Sequence, residues 1–200
     1  MKNTSSTVSD ITVEKYRPNI LTIANQLTIL RIVCIPVFII LLVYNRLGWA
    51  LVTFCVAAVT DGLDGIIARH FQQKTSLGAI LDPIADKLLM STSIVVLSLP
   101  QMGFPNPIPI WLLLIVIFRD VFILLGGLAF MLTYGFRVFP PSVAGKANTV
   151  FQFLTVFGVL LYNWTGVQEG GLYFLFILTG LLTVVSGFQY LAMGRRLLDH

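Results

Sequence analysis

The chain has 200 residues, of which 56% are hydrophobic and only 11% are charged. Soluble domains average about 25% charged residues, so this composition excludes an ordinary water-soluble domain and predicts a polytopic membrane protein. The net charge of +4 is explained by basic residues in short loops beside a membrane rather than by nucleic-acid binding. Cys34 and Cys55 lie in apolar runs without the spacing of a zinc or redox site.

The predicted elements form one all-α domain. Residues 1–19 are polar, and residues 1–24 are predicted to form a cytoplasmic N-terminal segment with room for a short interfacial helix. They lack the early apolar run of a secretory signal, so the first span is expected to stay uncleaved. A spanning helix needs about 20 mainly apolar residues. Six transmembrane helices are predicted within residues 25–200, at 25–44, 48–69, 77–99, 109–133, 144–164 and 172–193.

Basic residues are distributed unevenly between the two sides of these spans. One side carries only Arg46. The other side carries nine: Lys2, Lys15, Arg17, Arg69, Lys74, Arg137, Lys146, Arg195 and Arg196. Because lysine and arginine are concentrated in cytoplasmic loops, both termini are predicted to be cytoplasmic.

Charged residues also lie inside the apolar segments. They are Arg31, Asp61, Asp64, Asp82, Asp86, Lys87, Arg119 and Asp120. Charged side chains at membrane depth are costly and normally face the protein interior or a wet cavity. The chain is therefore predicted to enclose a polar cavity that opens to the cytoplasm. The four acids of the second and third segments would repel each other unless something positive lies among them.

These four acids have regular spacing. The sequence reads D-G-L-D-G-I-I-A-R from residue 61 and G-A-I-L-D-P-I-A-D from residue 78. Asp61 and Asp64 are three residues apart, and Gly78, Asp82 and Asp86 are four apart, so each set occupies one helical face. A short basic loop joins the two helices as an antiparallel pair. The acids are therefore expected to meet near the cytoplasmic surface.

Four converging carboxylates form an all-oxygen site that suits hard cations such as Mg²⁺, Mn²⁺ or Ca²⁺. A pair of such cations would keep all four acids ionised and could bind a pyrophosphate. The missing side chains at Gly65 and Gly78 would leave room for a nucleotide, and Arg69 can pair with phosphate. Two alternatives are solvated or capping acids and the cation pathway of a transporter. The spacing alone leaves the transporter open.

The pattern D-x-x-D-G-x-x-A-R-x8-G-x3-D-x3-D resembles the signature of the CDP-alcohol phosphatidyltransferase family, and every position is matched. The length and the six spans are similar too, so the resemblance covers nearly the whole chain. It implies transfer of a phosphatidyl group from a CDP-linked lipid to an alcohol, with release of CMP. It further implies two divalent cations, Mg²⁺ or Mn²⁺, a homodimer, and a multi-pass location in a bacterial inner (cell) membrane.

The resemblance also implies roles for individual residues. The metal ligands are Asp61, Asp64, Asp82 and Asp86. Asp86 is in addition the general base, a role that a metal-tuned carboxylate can fill. The contacts to the nucleotide are Asp64, Gly65, Ala68, Arg69 and Gly78.

The acceptor alcohol is indicated by residues elsewhere. The segment from Asn25 to Arg31 resembles the N-x-L-T-x-x-R opening of phosphatidylglycerophosphate synthases and cardiolipin synthases. Asn25, Thr28 and Arg31 share a helical face, where they either contact substrate or form a polar cluster between helices. Neighbouring residues do not face each other on a helix, so Arg119 is expected not to pair with Asp120 but to bind an acceptor phosphate.

The fifth helix opens with Lys146 and Asn148 at the same predicted surface. A lysine is not favoured by the dipole at a helix start, which indicates either an anion there or an ordinary cytoplasmic lysine. The Arg-Asp pair and the K-x-N-T-x-x-Q pattern resemble cardiolipin synthases, whose acceptor is phosphatidylglycerol. Glycerol-3-phosphate is nevertheless the expected acceptor because that branch is the commoner one. Phosphatidylglycerol is the alternative, and a cation transporter is a remote one.

Overall fold

The computed structural model describes residues 23–70, 76–134, 143–167 and 171–198; within them, side chains are described except at 23–25, 27–28, 61–84, 86, 127–143 and 193–198. These ranges contain six α-helices, one short 3-10 turn and no strand. The helices are α1 (Ile23–Val43), α2 (Leu47–His70), α3 (Ser76–Ser98), α4 (Ile110–Tyr134), α5 (Val143–Thr165) and α6 (Gly171–Leu198). The all-α prediction is confirmed. The predicted ends agree within two residues except at the end of α6. The predicted N-terminal segment lies almost wholly outside the described residues.

Local backbone chemistry ends α1 and α5. Asn45 has φ of +55°, a left-handed conformation that asparagine tolerates better than most residues. Its N–H donates to the Leu42 carbonyl at 2.9 Å, and the Arg46 N–H donates to the Leu41 carbonyl at 2.8 Å. This pair of bonds is the Schellman arrangement. Gly166, with φ of +74°, ends α5 in the same region of conformational space.

The core joins the two acid-bearing helices to α1 and α5. Both α2 and α3 pack against α1 and α5, while α4 packs against α3 and α6. Phe38, Phe54 and Phe153 form the centre, with ring centroids 5.9 Å and 4.9 Å apart. This core fixes the backbones of α2 and α3 relative to α5. The position of α4 depends instead on its contacts with α3 and α6.

The outward faces of the helices are apolar. Phe118, Leu124, Phe174 and Phe188 are each at least two-thirds exposed, a surface suited to lipid rather than to water. In the described part of the chain, two stretches are long and apolar enough to span a bilayer, Ala144–Thr165 and Gly171–Ala192. The structure thus shows six helices with two candidate membrane spans.

All three tryptophans lie at one end of the helices. Trp49 and Trp111 lie near the starts of α2 and α4, and Trp164 lies near the end of α5. Tyr44 and Tyr173 belong to the same end, and all five side chains are exposed. Tryptophan and tyrosine are enriched where a membrane meets water, so this end matches a bilayer interface.

Candidate active site

The predicted metal and nucleotide residues lie on helical backbone. Asp61 and Asp64 belong to the last half of α2, and Asp82 and Asp86 to the first half of α3. Because both segments are continuous helix, residues three or four apart within each of them lie on one helical face, as predicted. The side-chain positions of these four aspartates are not described, and the same holds for the surroundings of Gly65, Ala68, Arg69 and Gly78. Their predicted convergence and roles stay predictions, and no cluster of three possible metal ligands occurs among the side chains that are described.

A network of charged groups joins α3 to α4. The Lys87 Nζ donates to Asp120 Oδ1 at 2.6 Å, and the Arg119 Nη1 donates to the same oxygen at 2.7 Å. The side chains of Arg119 and Asp120 are 9% and 13% exposed, whereas that of Lys87 is 50% exposed. The three groups carry a net charge of +1. The half-exposed Lys87 thus brings a positive charge to the edge of the bundle, one residue along α3 from Asp86.

The prediction that Arg119 does not pair with Asp120 is wrong. The helical spacing rule describes the directions of the Cβ atoms, but the arginine side chain is long enough to fold back to its neighbour. Ser186 holds the other side of the guanidinium, accepting from Nη2 at 2.7 Å. The Tyr190 ring lies 5.7 Å away, within cation–π range. The arginine is consequently held in one orientation.

Polar side chains also connect α5 to α6. The Thr183 hydroxyl donates to Asn148 Oδ1 at 2.7 Å. Further along, the Thr155 and Thr179 hydroxyls lie 2.8 Å apart. Asn148 is fully buried, and Gln152, one turn away on α5, is almost fully buried. The sequence assigned only Asn148 of these residues to the site.

The remaining predicted acceptor residues fall into three groups. Arg31 is fully buried on α1, which supports its prediction as an interior residue. Lys146 is exposed near the start of α5. The side chains of Asn25 and Thr28 lie outside those described. Arg119 and Asn148 contact neighbouring positions on α6, because their partners Ser186 and Thr183 are one turn apart.

No role was predicted from the sequence for the polar residues of α6. Thr179, Thr183, Ser186 and Tyr190 are spaced four, three and four residues apart. This spacing places them along one stripe of the helix. A polar stripe in an otherwise apolar span was the available signal, and it identifies the face of α6 that turns inward.

A cleft of about 650 Å³ separates the outer faces of α4 and α6. Arg119 and Thr183 contribute its polar lining. Gly187 lines it beside the arginine, where an added Cβ would lie in ordinary van der Waals contact, 3.8 Å from Arg119 Cγ. The apolar lining includes Leu114, Ile117, Phe118, Phe122, Val184 and Phe188. The cleft thus runs from the outer apolar surface to two residues of the polar interior.

A family model for CDP-alcohol phosphatidyltransferase matches residues 21–187. The chain belongs to the CDP-alcohol phosphatidyltransferase family. The matched region contains both aspartate pairs, Arg119, Asn148 and Ser186. The predicted resemblance is confirmed, and the protein is an enzyme of the phosphatidyltransferase type. Membership in this family favours the enzyme over the cation-transporter alternative.

Curated relatives of this phosphatidyltransferase carry two kinds of name. It is 32% identical over 188 residues to a probable phosphatidylglycerophosphate synthase of Mycobacterium tuberculosis, covering 90% of this chain and 85% of the relative. It is 34% identical over 181 residues to the CDP-diacylglycerol–glycerol-3-phosphate 3-phosphatidyltransferase of Escherichia coli, covering 86% and 94%. A probable cardiolipin synthase (CMP-forming) of Drosophila melanogaster is 34% identical over 199 residues, covering 89% and 59%.

Proposed function

We propose that this phosphatidyltransferase transfers the phosphatidyl group of CDP-diacylglycerol to glycerol-3-phosphate, giving phosphatidylglycerophosphate and CMP. The buried guanidinium of Arg119 is the observation that carries the choice of a phosphate-bearing acceptor. Asp120, Ser186 and Tyr190 hold it in place, yet its Nε has no hydrogen-bond partner among the described residues. Arginine is well suited to bind phosphate through directed hydrogen bonds. Relatives named as glycerol-3-phosphate phosphatidyltransferases support the same acceptor.

The metal site is proposed at Asp61, Asp64, Asp82 and Asp86. Four carboxylates form an all-oxygen donor set, which fits hard divalent cations such as Mg²⁺ or Mn²⁺. When bound, two such cations would neutralise charge on the diphosphate. The four acids would hold these cations, and through them the diphosphate, where α2 ends and α3 begins. The proposed nucleotide contacts are Asp64, Gly65, Ala68, Arg69 and Gly78.

Asp86 is proposed as the general base. Its carboxylate takes the proton of the acceptor hydroxyl while that oxygen forms a bond to the β-phosphorus of the CDP-lipid. The bond from the β-phosphorus to the bridging oxygen breaks, and CMP leaves with the electron pair. The reaction involves no change of oxidation state.

Acceptor binding is proposed to involve residues from three helices. Arg119 binds the phosphate of the acceptor, and Asn148 binds one of its oxygens. Lys146, exposed at the start of α5, attracts the anion from the cytoplasm. Arg31, fully buried on α1, contributes a second interior cation. The remaining proposed contacts are Asn25 and Thr28.

We also propose that all six helices span a bacterial cell membrane, with both termini and the cavity on the cytoplasmic side. The aromatic end of the bundle supports this placement, because Trp49, Trp111 and Trp164 lie on the side with a single loop cation. The aspartates instead lie in helix halves that lead to the basic loops. A homodimer is proposed from the family resemblance alone.

A second acceptor, phosphatidylglycerol, is favoured by one observation. The cleft between α4 and α6 has an almost wholly apolar lining and reaches Arg119 and Thr183. An acyl chain could lie in such a cleft while its head group reaches the arginine. Glycerol-3-phosphate, which has no acyl chain, does not need an apolar cleft to reach the arginine. The product would then be cardiolipin, in keeping with the relatives named as cardiolipin synthases.

The acceptor is tested by identifying the lipid product. Purified protein receives CDP-diacylglycerol and Mg²⁺ with either glycerol-3-phosphate or phosphatidylglycerol, and mass spectrometry identifies the new lipid. Phosphatidylglycerophosphate is the expected product. Cardiolipin formed only with phosphatidylglycerol would replace the first candidate by the second. Metal flux into liposomes without CMP release would contradict both and indicate a transporter.

A further inference from the structure

Three buried hydrogen-bond donors of the site lack partners within the described structure. They are the Arg119 Nε, the Asn148 Nδ2 and the Gln152 Nε2. Their residues are 9%, 0% and 4% exposed. Buried polar atoms in folded proteins are nearly always hydrogen-bonded, so each exception needs an explanation. Three such donors, all on helices that pack against α6, indicate a ligand that supplies oxygen acceptors.

Thr183 sets which group Asn148 presents. Its hydroxyl oxygen lies 2.7 Å from Asn148 Oδ1 and 2.7 Å from the Thr179 carbonyl. A hydroxyl carries one proton. The Thr179 carbonyl already accepts the backbone N–H four residues on, whereas Asn148 Oδ1 has no other donor within the described structure. The proton is therefore assigned to Asn148 Oδ1. The amide NH₂ then faces away from α6 as a donor.

Ser186, one turn along α6 from Thr183, likewise fixes the orientation of the Arg119 guanidinium. By accepting from Nη2 at 2.7 Å, it fixes one edge of the guanidinium while Asp120 accepts from Nη1. Among the guanidinium nitrogens, Nε alone makes no hydrogen bond within the described structure, and each Nη keeps a second N–H that can donate to a ligand. Gln152 lies one turn from Asn148 on the same face of α5, so its free amide extends the row of donors. α6 thus orients donors that belong to α4 and α5.

We infer that Arg119, Asn148 and Gln152 together bind oxygens of a glycerol phosphate group, and that Thr183 and Ser186 are positioning residues that aim two of these donors. The inference rests on the proposed function and adds Gln152, Thr183 and Ser186 to the site. One arginine, partly neutralised by Asp120, and two neutral amides recognise phosphate and hydroxyl oxygens. The group belongs either to free glycerol-3-phosphate or to the head group of phosphatidylglycerol.

Thr183→Val tests the positioning role, since it removes the hydroxyl with little change in shape. The KM for the acceptor should rise roughly tenfold, the equivalent of one hydrogen bond. The KM for CDP-diacylglycerol should stay at the wild-type value. Thr183→Ser, which keeps the hydroxyl, should restore acceptor binding. Thr179→Val is the matched control, because it removes a buried α5–α6 hydrogen bond at Thr155 and touches none of the three donors.

Asn148→Asp tests the orientation of the amide. The aspartate oxygen nearest Thr183 can still accept its proton, but the second oxygen replaces the donor. The acceptor KM should therefore rise more than in Thr183→Val. Unchanged acceptor binding would mean that the wild-type amide presents its oxygen, and the inference would be overturned. Melting temperatures of all variants identify any that fail to fold.

Each assay is run with glycerol-3-phosphate and with phosphatidylglycerol. A rise in acceptor KM in either arm supports the inference, and the responding arm identifies the source of the glycerol phosphate. An active wild-type enzyme in which Thr183→Val behaves like Thr179→Val would overturn it. A wild-type protein that releases no CMP in either arm contradicts the proposed function instead. The two failures are thereby distinguished.

Discussion

Asp120 is the only acid shown to neutralise the buried Arg119 among the described side chains. Its Oδ1 accepts hydrogen bonds from Arg119 at 2.7 Å and from Lys87 at 2.6 Å. Asp120→Asn keeps an acceptor oxygen and the side-chain volume but removes the charge. The variant leaves Arg119, which is 9% exposed, without that counter-charge. We therefore predict a substantial loss of stability from a single-atom change.

The magnitude follows from the burial of each partner. Removing one partner of a buried ion pair costs about 3–5 kcal/mol. The retained hydrogen bond to Ser186 and the Tyr190 ring reduce this cost, so we expect roughly 2–4 kcal/mol. The share of Lys87 is small, because exposed pairs contribute about 0–1 kcal/mol. For a chain of this length the melting temperature should fall by roughly 5–10 °C.

Thermal unfolding in detergent, followed by circular dichroism, measures the effect. Lys87→Gln is the matched control, since it removes the exposed partner of the same carboxylate and should lower the melting temperature by at most about 4 °C. Equal melting temperatures for Asp120→Asn and the wild type would refute the reasoning. So would a larger loss for Lys87→Gln than for Asp120→Asn.

Three further outcomes are expected. Gly180→Ala should lower the free energy of unfolding by about 1–3 kcal/mol, because the added Cβ would lie 2.8 Å from Trp111. Gly126→Ala is the control and should not lower it, because nothing lies within 4 Å of the added Cβ. Ser186→Ala should raise the acceptor KM at least tenfold, since hydrogen bonds to charged groups contribute about 1.5–3 kcal/mol; an unchanged KM would exclude its positioning role. A chelator should abolish CMP release and Mg²⁺ or Mn²⁺ restore it, and activity in excess chelator would count against the proposed metal site.

The helices themselves could be predicted closely from the sequence. Apolar runs of spanning length and intervening turn formers locate all six helices, and Asn45 lies in the left-handed turn that ends α1. The end of α6 is the exception. Its last residues are less apolar, and hydrophobicity gives no signal that helix continues to Leu198. The interior position of Arg31 and Arg119 follows from the cost of charge at membrane depth.

The partners of these interior residues could not be predicted in the same way. Spacing rules describe a single helix, whereas Lys87 and Asp120 meet across two helices. Serine and threonine in an apolar helix commonly bond to their own backbone, as Ser93 and Ser98 do. The polar stripe of α6 therefore indicates an inward face but does not predict that Ser186 contacts α4. Only the helix packing shows that Thr183 and Ser186 of α6 contact Asn148 and Arg119.

The central claim is tested most directly by CMP release from CDP-diacylglycerol with purified protein. The wild type should release CMP only when a glycerol-containing acceptor and a divalent cation are both present, and Asp86→Asn should release none while retaining the wild-type melting temperature. CMP release at the wild-type rate by Asp86→Asn, or release that is independent of the acceptor, would contradict the account.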